Sequence, residues 1–178
     1  VDRARRLHEE GLHLIPLLPK SKEPAMSWRE WQQTQTPLSL LRRQLQALAE
    51  KTGDEAGLAI LCGEGSGVVV ADLDDETAVA WAKKNLPVTP WRTKTARGEH
   101  WFFRRPKDFT APESLPWTGQ LQSDGRYVVA PGSLHPDGFK YEAVGSWSAP
   151  KAELPLWDNR WLVDVEELRR RRQEILKR

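Results

Sequence analysis

The segment Val68-Val69-Val70-Ala71-Asp72-Leu73-Asp74 has the pattern of a buried β-strand that ends in two acidic residues. Side chains alternate between the two faces of a strand, so Asp72 and Asp74 point the same way, about 7 Å apart along the backbone. Neighbouring carboxylates repel each other, and a pair of Mg²⁺ or Mn²⁺ ions relieves that repulsion because both metals prefer oxygen ligands. The segment therefore predicts a metal site suited to in-line attack on a phosphate. The alternative is that the aspartates end the strand and cap a helix that begins at Asp75.

The strands around this segment predict an α+β fold, because strands and helices are mixed without strict β-α-β alternation. The apolar run Leu58–Cys62 is separated from Val68–Leu73 by a glycine-rich turn over residues 63–67, which predicts a hairpin. Around Asp124-Gly125, the runs Gly119–Ser123 and Arg126–Ala130 predict a second strand pair.

Two helices have clear amphipathic patterns. One starts at Thr36-Pro37 and ends before Gly53, with Leu38, Leu41, Leu45 and Leu48 on one stripe. The other covers Val163–Lys177, and its expected docking face consists of Val165, Leu168, Ile175 and Leu176.

Two further segments carry polar groups that suit phosphate or nucleotide binding. Thr95-Ala96-Arg97-Gly98-Glu99-His100 brings an arginine and a histidine to the start of an aromatic strand, and both side chains suit triphosphate oxygens. Pro131-Gly132 breaks the later strand and places Ser133 and His135 on a loop. Taken singly, each of these residues also fits an ordinary structural or solvated role.

The composition limits the kinds of partner and compartment. A formal net charge of +2 gives no general basic coat, so nucleic-acid contacts must come from local patches. A single cysteine, Cys62, excludes an internal disulfide and a cysteine-rich zinc site. No stretch is apolar for the roughly 18 residues of a membrane span, and the basic start has no apolar signal core behind it. We therefore expect a cytoplasmic protein with no membrane contact.

In this order and spacing, the motifs resemble the bifunctional primase/polymerase (Prim-Pol) domain of the archaeo-eukaryotic primase superfamily. Gly11–Trp31, with Lys22 and Trp28, is similar to that family's N-terminal signature, and Gly63–Asp74 resembles its first catalytic motif. Arg97-Gly98-Glu99-His100 resembles the histidine motif, and residues 127–136 resemble the segment that follows the third motif. The likeness spans about residues 11–144 of one domain covering 1–178, with residues 150–178 as a C-terminal extension.

The resemblance implies an RRM-like antiparallel sheet with an N-terminal α/β module and flanking helices. It implies a nucleotidyltransferase in which Asp72 and Asp74 hold Mg²⁺ or Mn²⁺ and His100 contacts the incoming phosphates. Arg97, Ser133, His135 and Lys22 carry over as nucleotide-pocket residues. The implied partners are a single-stranded DNA template, nucleoside triphosphates and a helicase outside this chain, in replication of a plasmid, phage or mobile element.

One departure from the family pattern concerns its third acidic residue. The alignment of motifs puts Gln120 at that position, and a glutamine offers one carbonyl oxygen but no charge. Either Gln120 occupies the site, which we favour, or the register differs and Asp124 supplies the carboxylate. Gln120 would weaken metal binding.

The leading hypothesis is therefore two-metal synthesis or extension of primers. The alternative is a catalytically impaired module that binds nucleic acid or nucleotide, and a third, weaker hypothesis is a metal-dependent nuclease. Candidate template contacts, each also compatible with a solvated surface, are Lys83, Lys84, Arg92, Lys94 and Arg169–Arg172.

Overall fold

The computed structural model describes residues 2–163 and 165–177. Within those residues the strands, in chain order, are β1 (Leu14–Leu17), β2 (Gly57–Leu61), β3 (Val68–Leu73), β4 (Trp91–Lys94), β5 (Glu99–Arg104), β6 (Gly119–Gln122), β7 (Tyr127–Val129) and β8 (Glu142–Gly145). The α-helices are α1 (Asp2–Glu9), α2 (Leu38–Thr52), α3 (Glu76–Asn85) and α4 (Val165–Leu176). Short 3₁₀ helices cover Glu30–Gln32, Lys151–Glu153 and Asn159–Leu162. No helix in this part of the chain is long and apolar enough to cross a membrane.

The strands form two antiparallel sheets. The smaller sheet has the order β1-β2-β7, and the larger has the order β6-β3-β5-β4-β8. β3 is an interior strand, with β5 on one side and β6 on the other, and its aliphatic residues are fully buried. This arrangement confirms the predicted α+β class with antiparallel sheets.

The two faces of β3 contact different parts of the core. Ala71 and Leu73 pack on the buried side of α3, in a cluster that includes Ala78 and Ala82. Val68 and Val70, on the opposite face, pack with residues of the smaller sheet, Leu58, Ile60 and Val128. Alternation along the strand places Asp72 on this second face. Asp72 therefore lies where the two sheets face each other.

The predicted hairpin between β2 and β3 is wrong. The two strands belong to different sheets, and the bridge between Gly63 and Val68 at the turn does not extend into a ladder between them. Gly63 and Gly67 have φ angles of +102° and +70°, which glycine adopts without strain, and the turn redirects the chain from one sheet to the other. β3 buries both faces because α3 covers one of them and the smaller sheet covers the other.

The predicted pairing of β6 with β7 is wrong for a similar reason. β6 pairs with β3 in the larger sheet, and β7 pairs with β2 in the smaller one. Asp124 lies in the turn between β6 and β7. It bonds to the turn between β2 and β3, so it links the two places where the chain passes from one sheet to the other. Its Oδ1 accepts a hydrogen bond from the backbone N–H of Glu64 at 2.9 Å, and its Oδ2 accepts from Arg105 Nε at 3.0 Å. Burial alone would raise the pKa of Asp124, but the bonds from Glu64 and Arg105 lower it below its ordinary value.

We expect Asp124→Asn to make the free energy of unfolding less dependent on pH. A carboxyl whose pKa is lowered by folding stabilises the fold above its unfolded pKa of about 3.9, and that stabilisation is lost as the pH falls through the folded pKa. Because the Asp124 side chain is half exposed, the loss at pH 7 should be on the order of 1 kcal/mol. Urea unfolding at pH 7 and pH 3 measures both effects. An equally steep pH dependence in the variant would contradict this assignment.

The helix predictions had mixed outcomes. α2 follows its predicted pattern, with Leu41 fully buried and Gly53 at φ +75° just past its end. α4 exists, but Ile175 and Leu176 are 73% and 78% exposed, so these two do not form a docking face. The helix is rich in charged residues and offers few apolar positions per turn. The side chains of Val165 and Leu168 lie outside the described residues.

Candidate active site

A row of polar side chains crosses three neighbouring strands of the larger sheet. In the strand register, Asp72 on β3 lies opposite His100 on β5 and opposite Gln120 on β6. Residues directly opposite each other share a face of the sheet, so the three side chains lie side by side. His100 Nε2 is 3.3 Å from Asp72 Oδ1. Strand pairing thus brings His100 and Gln120, which are 28 and 48 positions away in the sequence, next to Asp72.

Asp72 is held in its ionised form by these neighbours. Burial by itself would raise its pKa, but the hydrogen bond and charge of His100, a hydrogen bond from Gln122 and the charge of Lys22 together lower it below the ordinary value. The Gln122 amide donates to Asp72 Oδ2 at 3.2 Å and to Gln120 Oε1 at 2.9 Å. Asp72 Oδ2 and Gln120 Oε1 therefore share one donor, the Gln122 amide nitrogen.

Asp74 is more exposed and has a different electrostatic environment. Burial and the negative charge of Asp72 raise its pKa, while the nearby charge of Arg97 opposes the shift. The carboxylates of Asp72 and Asp74 therefore lie close enough in the folded chain to repel each other. A cation between them would relieve it.

The two sheets enclose a cleft of about 430 Å³ above this polar row. Its opposite wall is formed by β7 and by the loop that carries Lys22 and Trp28. The Tyr127 hydroxyl donates to the carbonyl oxygen of Lys22 at 2.9 Å, and the rings of Trp28 and Tyr127 meet edge to face with centroids 5.3 Å apart. These contacts hold the Lys22 loop against the cleft.

Most of the residues singled out from the sequence meet in this cleft. Its lining includes Lys22, Asp72, Asp74, Arg97, His100, Gln120 and His135. Ser133 is not among them: it is 3% exposed, and its Oγ accepts a hydrogen bond from the Leu58 backbone N–H at 3.0 Å. Asp124 is engaged with Glu64 and Arg105, so the structure places Gln120, and not Asp124, beside Asp72.

Several lining residues were not identified from the sequence. Gln122 shares a strand face with Gln120, and the two-residue alternation was an available signal for it. Tyr141 also lines the cleft, with its ring centroid 6.2 Å from that of His100. Trp28 and Tyr127 lie in segments that resemble the family, but they were not assigned to the site, since only the packing of the smaller sheet brings them into the cleft with Asp72.

The candidate template contacts are distributed unevenly. Lys83 and Lys94 line a groove beside α3 that shares Arg97 with the cleft. Arg92 instead lies over the ring of Trp101, with its guanidinium carbon 5.5 Å from the ring centroid. Lys84, Arg170 and Arg172 are exposed. The side chains of Arg169 and Arg171 lie outside the described residues.

The oxygen atoms around Asp72 have the chemistry that a hard divalent cation needs. Among the residues that the structure describes, no three His, Cys, Asp or Glu side chains form a metal site by themselves. The candidate ligands in the cleft are instead two carboxylates and one amide oxygen, from Asp72, Asp74 and Gln120. Asp72 and Gln120 lie directly opposite each other on neighbouring strands, and carboxylate and amide oxygens are ligands that Mg²⁺ or Mn²⁺ accepts.

Comparison with known proteins gives one family. The family model described as bifunctional DNA primase/polymerase, N-terminal, matches residues 4–157. No curated protein matches the chain.

Proposed function

This chain belongs to the bifunctional DNA primase/polymerase family, and from that premise we propose that it makes or extends primers from nucleoside triphosphates on a single-stranded DNA template. Membership implies an enzyme of the nucleotidyltransferase type that acts on DNA and nucleotides and, as is general for such enzymes, uses divalent metals. The finer proposal is two-metal catalysis with Mg²⁺ or Mn²⁺, in the replication of a plasmid, phage or mobile element and alongside a helicase outside this chain.

The observation that carries the proposal is the composition of the cleft. Its floor has the acidic pair Asp72 and Asp74, and its rim has the cations Lys22 and Arg97. The charges of Lys22 and Arg97 act on Asp72 and Asp74 respectively. A triphosphate with its metal ions needs this combination of anionic ligands and nearby cations.

Each side chain has a distinct part in the proposed mechanism. Asp72, Asp74 and the Gln120 amide oxygen would hold the metal ions, which when bound supply a more acidic 3′-hydroxyl and neutralise the leaving pyrophosphate. His100 donates to Asp72, and this bond supports a role in keeping Asp72 ionised and oriented. Lys22 and Arg97 would bind the phosphates. The direct contact of His100 and His135 with the nucleotide stays a prediction.

A synthesis assay tests the proposed function. The chain is incubated with single-stranded DNA and nucleoside triphosphates, with Mg²⁺, with Mn²⁺, or with a chelator. We expect dinucleotides or extended primers and released pyrophosphate with metal, and neither product with the chelator. No pyrophosphate release with either metal would contradict the proposal, and degradation of DNA without nucleotides would favour a nuclease.

A second candidate, a binding module with impaired turnover, is favoured by one observation. Gln120 lies opposite Asp72, where the family pattern has an acidic residue, and it contributes no charge to the metal site. Such a module would bind single-stranded DNA or nucleotide without releasing pyrophosphate.

We expect Gln120→Glu to tighten Mn²⁺ binding by about tenfold or more, because it adds a third carboxylate to the donor set. Without metal the same change should lower the melting temperature, since three carboxylates then repel. Calorimetric Mn²⁺ titration and thermal unfolding measure these effects, with Gln33→Glu at an exposed position away from the cleft as the matched control. Turnover that appears only in Gln120→Glu would favour the binding module. Unchanged Mn²⁺ affinity would exclude Gln120 as a ligand.

A further inference from the structure

Strand β4 places a threonine beside His100. Thr93 lies directly opposite His100 on β5, so the two side chains share a face of the larger sheet, with Cβ atoms about 4.5–5.5 Å apart. Trp91, two residues before Thr93, packs in the same core cluster as Val70, and this is the face of the sheet that carries Asp72. Thr93 is therefore the next neighbour of the Asp72–His100 pair along the row of polar side chains.

Thr93 Oγ1 and His100 Nδ1 are both buried and have no hydrogen-bond partner among the described residues. Two other fully buried threonines donate to backbone carbonyl oxygens, Thr36 at 2.7 Å and Thr89 at 2.6 Å. The buried ring of His13 likewise has its Nδ1 2.6 Å from a backbone carbonyl oxygen. Because buried polar atoms normally have partners, two unpaired atoms in facing residues need a physical reason.

A hydroxyl at position 93 is costly unless it has a task that valine cannot perform. Valine has a similar branched shape, suits strands as well as threonine does, and has no polar atom to bury. On the other side of Thr93, the facing residue is Ala143 of β8, whose methyl group offers no hydrogen bond. Across its two strand pairings, Thr93 therefore faces one polar side chain, that of His100.

The two unpaired atoms have complementary chemistry. His100 Nε2 lies 3.3 Å from Asp72 Oδ1, and a bond to a carboxylate requires the proton on Nε2. The Nδ1 atom of a neutral ring is then an acceptor, and a threonine hydroxyl is a donor. Rotation of the Thr93 side chain, or one bridging water molecule, would bring the hydroxyl proton to Nδ1.

A bond at Nδ1 would also decide how the imidazole is turned. The Tyr141 ring lies against that of His100, with centroids 6.2 Å apart and planes at 30°. Stacking constrains the plane of the imidazole, but a half-turn of the ring exchanges nitrogen and carbon positions with almost no change of shape. A donor beside Nδ1 favours the one orientation that presents Nε2 to Asp72.

We propose that Thr93 is a positioning residue of the cleft, whose hydroxyl donates to His100 Nδ1 and so holds the Nε2–H group towards Asp72. Asp72 is thereby kept in the orientation in which it would hold a metal ion. Loss of such an outer hydrogen bond typically lowers metal affinity or activity by about 10–100-fold. The inference deepens the proposed function and rests on it for the effect on primer extension, but the bond itself can be tested without turnover.

Nitrogen-15 NMR of the histidine rings in the full chain at pH 8 tests the bond directly. In the wild type we expect the proton of the His100 ring on Nε2, and an Nδ1 resonance shifted upfield as for an acceptor. The signals are assigned by their loss in His100→Gln. Thr93→Val should move the Nδ1 resonance downfield, because the donor is gone, and Thr93→Ser should keep it at the wild-type position.

Two further measurements separate positioning from a general role in packing. Mn²⁺ affinity, measured by calorimetry, and the rate of primer extension should each fall by about tenfold in Thr93→Val and stay near the wild-type values in Thr93→Ser. Thr89→Val is the matched control, because it removes an equally buried hydroxyl that bonds to the Phe102 carbonyl oxygen. It should lower the melting temperature and leave the His100 spectrum and the Mn²⁺ affinity unchanged.

The wild-type spectrum alone can overturn the proposal, since a proton on Nδ1 of His100 excludes Thr93 as its donor. A His100 spectrum that is unaltered in Thr93→Val would overturn it too. So would a Thr93→Ser spectrum equal to that of Thr93→Val, which would show that shape and not the hydroxyl orients the ring. Absence of pyrophosphate release in the wild type would contradict the proposed function alone, because the spectra still report the bond.

Discussion

Replacing Asp72 and Asp74 together with Asn should lower the rate of primer extension by on the order of a thousandfold or more. The change keeps the size of both side chains and removes the two negative charges that would hold the metal ions. Metal ions stabilise the charge that develops during phosphoryl transfer by several kcal/mol, and each 1.36 kcal/mol corresponds to a tenfold change in rate. The double variant should also lose affinity for Mn²⁺.

The same double change should leave the fold intact. Relief of the repulsion at Asp74 should offset the lost charged contact between Asp72 and His100, so the melting temperature in the absence of metal should change little. This combination, lost activity with retained stability, separates a metal site from a purely structural role.

Asp75→Asn is the matched control for that experiment. Asp75 follows the pair directly and caps α3, with its side chain accepting a hydrogen bond from the Ala78 N–H at 2.8 Å. Asparagine caps helices about as well as aspartate, so extension should change little. Extension that survives in the double variant, or that falls equally in the control, would refute the assignment of Asp72 and Asp74 as metal ligands.

Gly98→Ala should lower the free energy of unfolding by about 3 kcal/mol or more and displace the turn that carries Arg97. A Cβ at Gly98 would lie 1.7 Å from the Leu73 carbonyl oxygen and 3.0 Å from the Asp74 carbonyl carbon. The clash is with backbone, and β3 is paired on both sides, so it cannot shift cheaply. The strain therefore falls on the end of β3, next to the acidic pair.

Chemical denaturation and nucleotide titration measure the two effects of Gly98→Ala. The matched control is Gly138→Ala, since a Cβ there has nothing within 4 Å and φ is +87°. Only the backbone strain remains in the control, at a cost of about 1 kcal/mol. An unfolding free energy equal to that of the control would show that the approach between Gly98 and Leu73 is looser than described.

Two glycines near Asp72, Gly98 and Gly119, let neighbouring backbone approach the end of β3 closely. Gly98 approaches Leu73 from the β5 side, and Gly119 approaches from the β6 side, where a Cβ would lie 1.9 Å from the Asp72 carbonyl oxygen. Both positions require the absence of a side chain. We infer that they hold the end of β3 in place, and with it the orientation of Asp72 and Asp74.

Local sequence patterns determined much of this protein by themselves. Alternation along Val68–Leu73 puts Asp72 on one face of a strand, and the pattern after Pro37 predicts α2 with Leu41 buried. The order of the motifs also indicated the family that the match over residues 4–157 shows. These features depend on neighbours a few residues apart, and a sequence states them directly.

Only the tertiary structure decided which strands are partners and what covers the acidic pair. A turn that contains glycine is compatible with a hairpin and with a passage between sheets. Here the turn over residues 63–67 and the turn at Asp124-Gly125 both carry the chain from one sheet to the other. The pairing of Asp72 with Gln120, the exclusion of Ser133 and the wall containing Tyr127 follow from hydrogen bonds and packing between distant segments. Strand periodicity specifies which face a side chain occupies, but the partner strand is set by long-range burial, which no local pattern encodes.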